Sequence, residues 1–116
     1  MIVDDEPTIR MVTAEVLREA GYRIIEAADG PSALHALKSA PKVHMLVTDI
    51  GLPGGLNGRQ LAAAVQSERP NIKVLLITGY AHNVAEDGRL TDGAEIMIKP
   101  FDMDALAQKI KRMLAG

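Results

Sequence analysis

Residues 45–55 read MLVTDIGLPGG, an apolar run that ends on an acidic side chain and is followed by three glycines and a proline. The run from Val43 to Thr48 is almost continuously apolar, which is typical of a strand buried on both faces of a parallel sheet. Glycine and proline turn a chain sharply, so we expect the backbone to leave the sheet soon after Asp49. The stretch therefore predicts a buried strand whose end presents Asp49 at the edge of a sheet.

Apolar runs of strand length recur along the chain and alternate with segments of helical period. Five strands are predicted in this way: Met1 to Val3, Arg23 to Glu26, Val43 to Thr48, Lys73 to Ile77 and Glu95 to Ile98. The first has only about three residues, where five or six are usual. Either residues were trimmed from the natural N-terminus, or this strand is short in the natural protein.

Proline, glycine and capping residues mark helices between the strands. Three helices are predicted first: one starts at Pro7 and stops before Gly21, one starts after Asp29, and one runs from Asn57 to Pro70. A weaker helix is predicted between Asn83 and Leu90. The last helix is capped by Asp102 and carries the apolar stripe Leu106, Ile110 and Leu114. The β-α order thus occurs five times, and right-handed crossovers favour a doubly wound α/β sheet with helices on both faces. The length suits one domain, which we expect to span residues 1–116.

Composition and charge exclude several classes of function. A net charge of −2 leaves no basic face for nucleic acid, so direct binding of nucleic acid is not expected. Because the chain has no cysteine, disulfides, thiolate metal sites and thiol catalysis are excluded. The first acidic residue is Asp4, which is too close to the N-terminus for a signal peptide. Apolar runs such as Val74 to Ile77 are too short to cross a bilayer. We therefore expect a cytoplasmic protein without membrane insertion.

Side chains that can carry chemistry stand at the carboxyl ends of four predicted strands. They are Asp4, Asp5 and Glu6 after the first, Asp49 after the third, Thr78 after the fourth and Lys99 after the fifth. Each alone has an ordinary explanation, since acids suit a helix start and a lysine suits a surface. Taken together they indicate one site, because ligands bind beyond the carboxyl ends of the strands in an open parallel sheet.

The charges of this predicted site indicate a metal ion and a phosphoryl group. Two carboxylates about 4 Å apart repel by about 4 kcal/mol at an effective dielectric near 20, so the cluster must hold a cation or take up protons. Oxygen ligands without cysteine or paired histidine point to a hard ion, with Mg²⁺ as the first choice. A metal ion, a lysine and a hydroxyl suit the charged oxygens of a phosphoryl group. One carboxylate could then act as a nucleophile and form an aspartyl phosphate.

Four short motifs, in this order and spacing, resemble those of the receiver domains of two-component response regulators. They are VDDE at residues 3–6, the lone Asp49 after the third strand, ITG at 77–79 and IKPF at 98–101. The resemblance runs over essentially the whole chain and implies a five-stranded flavodoxin-like (βα)5 fold with strand order 2-1-3-4-5. It implies that the phosphoryl donor is a histidine kinase or a histidine phosphotransfer protein. The implied cofactor is Mg²⁺, for which Mn²⁺ can substitute. A weak homodimer is also implied, and the downstream effector stays unknown.

The resemblance also implies a role for individual residues at the metal site. Asp49 resembles the phosphoacceptor and is expected to contact the metal as well. Asp5 resembles a direct Mg²⁺ ligand, and Asp4 a ligand that acts through water. The backbone carbonyl of Gly51 is implied as a further ligand.

Other roles concern the phosphoryl group and the switch that follows its transfer. Thr78 resembles the switch hydroxyl that bonds a phosphoryl oxygen, and Lys99 resembles the lysine that pairs with the phosphoryl group. The bond between Lys99 and Pro100 is implied to be cis. Many receivers carry Tyr or Phe where this chain has Ile96, so the usual coupling of the threonine to an aromatic side chain is in doubt. We hypothesise that Tyr80 replaces it by changing rotamer or by gating access to the acceptor; the alternative is that Tyr80 is merely a partly exposed residue at the rim.

The loop GLPGGLNG at residues 51–58 is one residue longer than the commonest form and, like TGY at 78–80, resembles receivers attached to hybrid kinases.

The resemblance leaves open whether the chain should be called an enzyme. Such a chain catalyses its own phosphorylation and, as an autophosphatase, the hydrolysis of its own acyl phosphate. It is a matter of definition whether this activity makes it an enzyme.

Three rival functions fit the residues less well. A pseudo-receiver, an interaction module without phosphorylation control, is disfavoured by the intact set of acids, Thr78 and Lys99. A Mg²⁺-dependent phosphohydrolase would need a second acid beside Asp49, which this sequence lacks. A flavodoxin would place a flavin phosphate after the first strand, where Asp4, Asp5 and Glu6 would repel it.

Overall fold

In a computed structural model of the chain, which describes residues 1–40, 42–79 and 93–115, five parallel strands form one sheet. The strands are β1 (Ile2–Val3), β2 (Glu26–Ala27), β3 (Met45–Asp49), β4 (Lys73–Thr78) and β5 (Ala94–Ile98). Their spatial order is β2-β1-β3-β4-β5, with every neighbouring pair parallel. The predicted α/β fold and its strand order 2-1-3-4-5 are confirmed.

Four helices lie among the described residues. They are α1 (Pro7–Glu19), α2 (Gly30–Ser39), α3 (Gly58–Glu68) and α4 (Met103–Ala115). The helix predicted between Asn83 and Leu90 lies outside the described residues. No helix in the described part of the chain is long and apolar enough to span a membrane.

Local sequence signals place the helix ends. Pro7 occupies the first turn of α1, and Gly21 follows that helix with a φ of 101°, a left-handed conformation that suits glycine. The Asp29 side chain accepts the N–H of Ser32 at 2.8 Å and caps α2. Asn57 and Gln60 form a reciprocal capping box at the start of α3.

The helices cover both faces of the sheet, each over a separate apolar core. On one face Leu17 of α1 and the α4 residues Leu106, Ile110 and Met113 pack with strand residues such as Leu75. On the other face α2 and α3 supply Ala33, Leu37, Leu61, Ala62 and Val65. Of the predicted stripe on α4, Leu106 and Ile110 are buried and Leu114 is only partly buried, and Met113 takes the third buried position.

All five strands differ from their predicted bounds by one or more residues, and two of the differences show that pairing partners set the length of a strand. The sequence predicts a second strand from Arg23 to Glu26, but β2 spans Glu26–Ala27 because its partner β1 offers only Ile2 and Val3 for pairing. The third strand extends to Asp49, one residue beyond the predicted end, because Asp49 pairs with Ile77 of β4. Asp49 is therefore the last residue of a strand and not the first residue of a loop.

Candidate functional site

The register of the sheet brings the ends of four strands to one edge. Val3 pairs with Thr48, Asp49 pairs with Ile77, and Thr78 pairs with Ile98. Asp4 and Asp5 leave the end of β1, Asp49 and Thr78 are the last residues of β3 and β4, and Lys99 follows β5 directly. The arrangement collects three carboxylates, an ammonium group and a hydroxyl-bearing residue at the carboxyl edge of the sheet.

Three carboxylates form a compact acidic cluster at this edge. One oxygen from each of Asp4, Asp5 and Asp49 lies within 4.8 Å of the others; Asp4 and Asp49 are half-buried and Asp5 is exposed. Burial is the main cause that raises the pKa of the Asp4 carboxyl, and the negative charge of Asp49 adds to the rise. The N–H of Glu6, 2.9 Å from Asp4 Oδ1, partly opposes it. The cluster thus carries negative charge that is costly to bring together.

The donor set of this cluster fits a hard divalent cation. All three side chains offer carboxylate oxygens, and no sulfur or imidazole nitrogen belongs to the group. Mg²⁺ prefers oxygen ligands of this kind and is commonly held by one or two carboxylates with water in the remaining positions. The residues present therefore suit Mg²⁺ on chemical grounds, and a cation there would relieve the repulsion between the acids.

Both carboxylate oxygens of Asp49 accept a hydrogen bond. The backbone N–H of Gly51 donates to Oδ1 at 3.1 Å, and Lys99 Nζ donates to Oδ2 at 3.0 Å. The Asp49 side chain is 19% exposed and that of Lys99 is 38% exposed, so the pair can still be reached from solvent. Partial burial lowers the pKa of Lys99, but the hydrogen bond and charge of Asp49 outweigh it, and the net effect is a raised pKa. The Lys99 side chain is therefore protonated and positively charged at neutral pH.

The remaining predicted residues differ in their exposure. Thr78 is only 2% exposed, and its carbonyl accepts the N–H of Lys99 at 2.8 Å, which ties the ends of β4 and β5 together. Ile96 lies within β5 and is partly buried against the core. The peptide bond between Lys99 and Pro100 is cis. Tyr80 lies outside the described residues, so its proposed switch role stays a prediction.

Two residues that the sequence reasoning did not assign to the site contact its backbone. A Cβ atom on Gly58 would lie 2.2 Å from the carbonyl oxygen of Asp49, so α3 can begin this close to β3 only with glycine. Arg10 Nη1 donates to the carbonyl oxygen of Asp4 at 2.8 Å from one turn into α1. The Asn57-Gly58 pair does mark a helix start in the sequence, but neither tertiary contact has a local sequence signal.

Comparisons with known proteins agree with this geometry. The family described as response regulator receiver domain matches residues 1–111. The chain is 30% identical to the sensor kinase CckA of Brucella abortus over 98% of its own length and 12% of that protein. It is also 30% identical to the response regulator receiver protein CpdR of the same organism, over 98% of this chain and 94% of CpdR. It thus matches a short segment of one relative and nearly the whole of another.

A solved structure of a Thermotoga maritima protein is similar over nearly the whole chain. The response regulator TrrA, in complex with Mg²⁺ and beryllofluoride, superposes with a TM-score of 0.82 at 32% identity and covers 97% of this chain and 95% of TrrA. Motifs, strand order, site geometry and family match coincide, and the chain belongs to the response regulator receiver domain family.

Proposed function

We propose that the chain is a phosphorylation-controlled receiver in which Asp49 accepts a phosphoryl group from a phosphohistidine. The observation that carries the proposal is the placement of Asp49, whose carboxylate lies 3.0 Å from Lys99 Nζ and within 4.8 Å of the Asp4 and Asp5 carboxylates. A carboxylate with an ammonium group on one side and a cation-binding pair of acids on the other suits attack on an anionic phosphorus. The same proposal treats residues 1–116 as one receiver domain.

The proposed reaction is a single transfer of the phosphoryl group. A carboxylate oxygen of Asp49 forms a bond to phosphorus as the bond between phosphorus and the imidazole nitrogen of the donor breaks. The electron pair of that bond stays on the imidazole, and Asp49 becomes an acyl phosphate. Mg²⁺, held by Asp4, Asp5, Asp49 and the carbonyl of Gly51, would neutralise negative charge on the phosphoryl oxygens.

Lys99 and Thr78 would bind the phosphoryl oxygens after transfer. In the described structure Lys99 Nζ donates to Asp49 itself, so in this proposal its hydrogen bond passes to a phosphoryl oxygen once Asp49 carries the phosphoryl group. Thr78 ends β4 beside this position and would donate its hydroxyl to another phosphoryl oxygen. A movement of Thr78 toward the phosphoryl group would shift the population of two conformations at the partner-binding face. Ile96 offers no aromatic ring to follow that movement.

The protein that donates the phosphoryl group would be a histidine kinase or a histidine phosphotransfer protein. Its imidazole must reach Asp49, so its surface must also contact residues around the carboxyl edge of the sheet. Helix α1 begins two residues after Asp5, and two of its exposed apolar side chains, Ile9 at 38% and Val12 at 44%, lie three residues apart on one face. Exposed apolar residues on one helix face suit contact with a partner protein.

Phosphorylation with small donors tests the proposal without a partner protein. Wild-type protein and Asp49→Asn are incubated with Mg²⁺ and acetyl phosphate, or with Mg²⁺ and beryllofluoride, and followed by intact mass and by NMR. We expect one phosphoryl adduct and Mg²⁺-dependent shifts in the wild type, and neither in Asp49→Asn. A wild type that stays unmodified would favour an interaction module without phosphorylation control.

A further inference from the structure

Arg10 connects helix α1 to the backbone that carries the first two acids of the site. Its Nη1 donates to the carbonyl oxygen of Asp4 at 2.8 Å, and its Nε lies 3.4 Å from Glu26 Oε1. The Arg10 side chain is 18% exposed, so this guanidinium group is held largely out of solvent between α1, the end of β1 and β2. A charge-assisted hydrogen bond in such a place is worth more than a bond on an open surface.

The contact with Arg10 completes a set of hydrogen bonds that fix Asp4. The N–H of Asp4 donates to the carbonyl of Ala27 at 3.2 Å, and its Oδ1 accepts the N–H of Glu6 at 2.9 Å. Its carbonyl oxygen accepts from Arg10. Both main-chain groups and one side-chain oxygen of Asp4 therefore have a partner, and the direction of the adjacent Asp5 depends on the same backbone.

We propose that Arg10 is a positioning residue for the magnesium site: its guanidinium bridges the Asp4 carbonyl and the Glu26 carboxylate, and so holds the loop between β1 and α1 with Asp4 and Asp5 directed toward Asp49. The inference rests on the proposed function, because it assigns a role toward the same metal ion. Glu26 pairs ionically with the Arg10 guanidinium from β2. The other oxygen of Glu26 separately accepts from Arg18 Nη1 at 3.3 Å, a contact on which the position of Asp4 does not depend in this proposal. Partners that orient metal ligands in this way commonly change metal affinity when they are removed.

Positioning and simple electrostatics predict opposite effects for the loss of Arg10. A positive charge near an acidic cluster repels Mg²⁺, so an Arg10→Met variant would bind Mg²⁺ more tightly if charge alone mattered. If Arg10 positions the loop, the same variant binds Mg²⁺ more weakly because its acids no longer converge. Arg10→Lys keeps the charge but offers a single nitrogen where Arg10 uses two, Nη1 toward Asp4 and Nε toward Glu26, so positioning predicts an intermediate loss and electrostatics predicts none.

The experiment measures the Mg²⁺ dissociation constant by calorimetry on the full chain, without any phosphoryl donor. We expect Arg10→Met to weaken Mg²⁺ binding about tenfold, in the range typical of residues that orient metal ligands, and Arg10→Lys to weaken it by a smaller factor. The matched control is Arg18→Met, which removes the same charge from the same helix and the same partner Glu26, but not a contact with Asp4. Since interactions between exposed charges more than about 10 Å apart are largely screened, the loss of the half-exposed charge of Arg18 should change the affinity less than about twofold.

A second readout reports on the loop without metal. The amide proton of Glu6 is bonded to Asp4 Oδ1, so its NMR shift should move toward an unstructured value in Arg10→Met and stay unchanged in Arg18→Met. If Arg10→Met does not fold, Arg10→Lys decides, and an affinity equal to the wild type would overturn the inference. If the wild type binds Mg²⁺ and Arg10→Met binds it equally or more tightly, the role of Arg10 is overturned and the proposed function is not affected. A wild type that binds no Mg²⁺ overturns the proposed function together with it.

Discussion

Lys99 Nζ lies 3.0 Å from Asp49 Oδ2, across 50 residues of sequence. The contact exists because β3 and β5 both pair with β4, so that their carboxyl ends flank the same strand. The backbone N–H of Gly51 donates to the other oxygen of Asp49 at 3.1 Å, so both carboxylate oxygens accept a hydrogen bond. Lys99 therefore competes with any cation for the charge of Asp49.

This competition predicts that Lys99→Met binds Mg²⁺ more tightly but no longer holds a phosphoryl group. The attraction between two unit charges about 4 Å apart is worth about 1 kcal/mol in water, so removing the Lys99 charge from beside Asp49 should raise the Mg²⁺ affinity about fivefold. The beryllofluoride complex should be lost, because a phosphoryl oxygen would lack its ammonium partner. Calorimetry with Mg²⁺ and NMR with beryllofluoride measure the two effects.

Lys109→Met is the matched control, because Lys109 pairs with Glu95 of β5 at 3.0 Å and not with an acid of the site. It should leave both measurements unchanged. Weaker Mg²⁺ binding in Lys99→Met would contradict the competition and would indicate that Lys99 instead holds Asp49 in place for the metal.

The close approach of α3 to β3 predicts that Gly58→Ala destabilises the protein. The added methyl group would lie 2.2 Å from the carbonyl oxygen of Asp49 and 2.7 Å from Cα of Ile50, both backbone atoms that cannot rotate away. Overpacking of this kind costs about 1–3 kcal/mol, and it exceeds the gain from replacing glycine in a helix. Urea unfolding should show the loss of stability.

The same substitution should also weaken formation of the beryllofluoride complex, since the strand end that carries Asp49 must shift. The control is Gly51→Ala, whose methyl group would meet only Asp49 Oδ1 at the ordinary distance of 3.9 Å. It should unfold at nearly the urea concentration of the wild type. Equal stability of Gly58→Ala and Gly51→Ala would mean that α3 moves freely relative to β3.

The fold is predictable from sequence where the pattern is local, and element boundaries are missed where pairing decides. Continuous apolar runs and helix caps are readable from neighbouring residues, and they locate five strands and the ends of most helices. The length of β2 is set by the two residues of β1, and the extension of β3 to Asp49 is set by Ile77 of β4. Both depend on partners far along the chain.

The candidate site shows the same division between local and tertiary signals. Strand ends are readable from the residue pattern, and the pattern alone predicts that Asp4, Asp49 and Lys99 share one edge of the sheet. The contacts of Gly58 and Arg10 depend on how helices pack against the sheet, and no spacing along the chain encodes them. The roles of Asp49, Thr78 and Lys99 in phosphoryl transfer stay predictions until an adduct is measured.

The exposed apolar face of α1 predicts a residue that matters for a protein donor but not for a small donor. Val12→Lys should slow phosphotransfer from a phosphohistidine protein about tenfold, equivalent to about 1.4 kcal/mol of lost contact energy. Phosphorylation by acetyl phosphate should be unchanged, since Val12 has no part in binding the metal or the phosphoryl group in the proposed mechanism. Rates from radiolabelled donor protein and from acetyl phosphate are compared on the same samples.

Met11→Lys is the matched control for this prediction. Met11 is 60% exposed and lies about 200° around the helix from Ile9 and about 100° from Val12, so it is outside the face that Ile9 and Val12 share. The Met11→Lys variant introduces the same charge on α1 as Val12→Lys. Because exposed charges are screened by salt, it should slow phosphotransfer from the donor protein less than about twofold. Similar losses in both variants would show that charge on α1, and not an apolar contact, controls the transfer.

The amino group of Met1 predicts that stability rises between about pH 6 and pH 8. Burial lowers its pKa from 8.0 to about 6 in the folded chain, where the group donates to the carbonyl of Met45 at 2.8 Å. Between these values the unfolded chain binds more protons, so the free energy of unfolding increases with pH. A shift of about two units corresponds to about 2–3 kcal/mol, which is absent below pH 6 and complete above pH 8.

Urea unfolding of the 116-residue chain from pH 5.5 to 8.5 measures this dependence, with the same chain acetylated at Met1 as the control. Acetylation removes the titrating charge of Met1 and leaves every other ionisable group of the chain in place, so the contributions of those groups cancel in the difference between the two proteins. The acetylated chain should be the more stable one at pH 6, and the two should converge near pH 8. Parallel curves would mean that the terminal amine is hydrated in the folded protein, and the hydrogen bond to Met45 would then have to be weak or absent in solution.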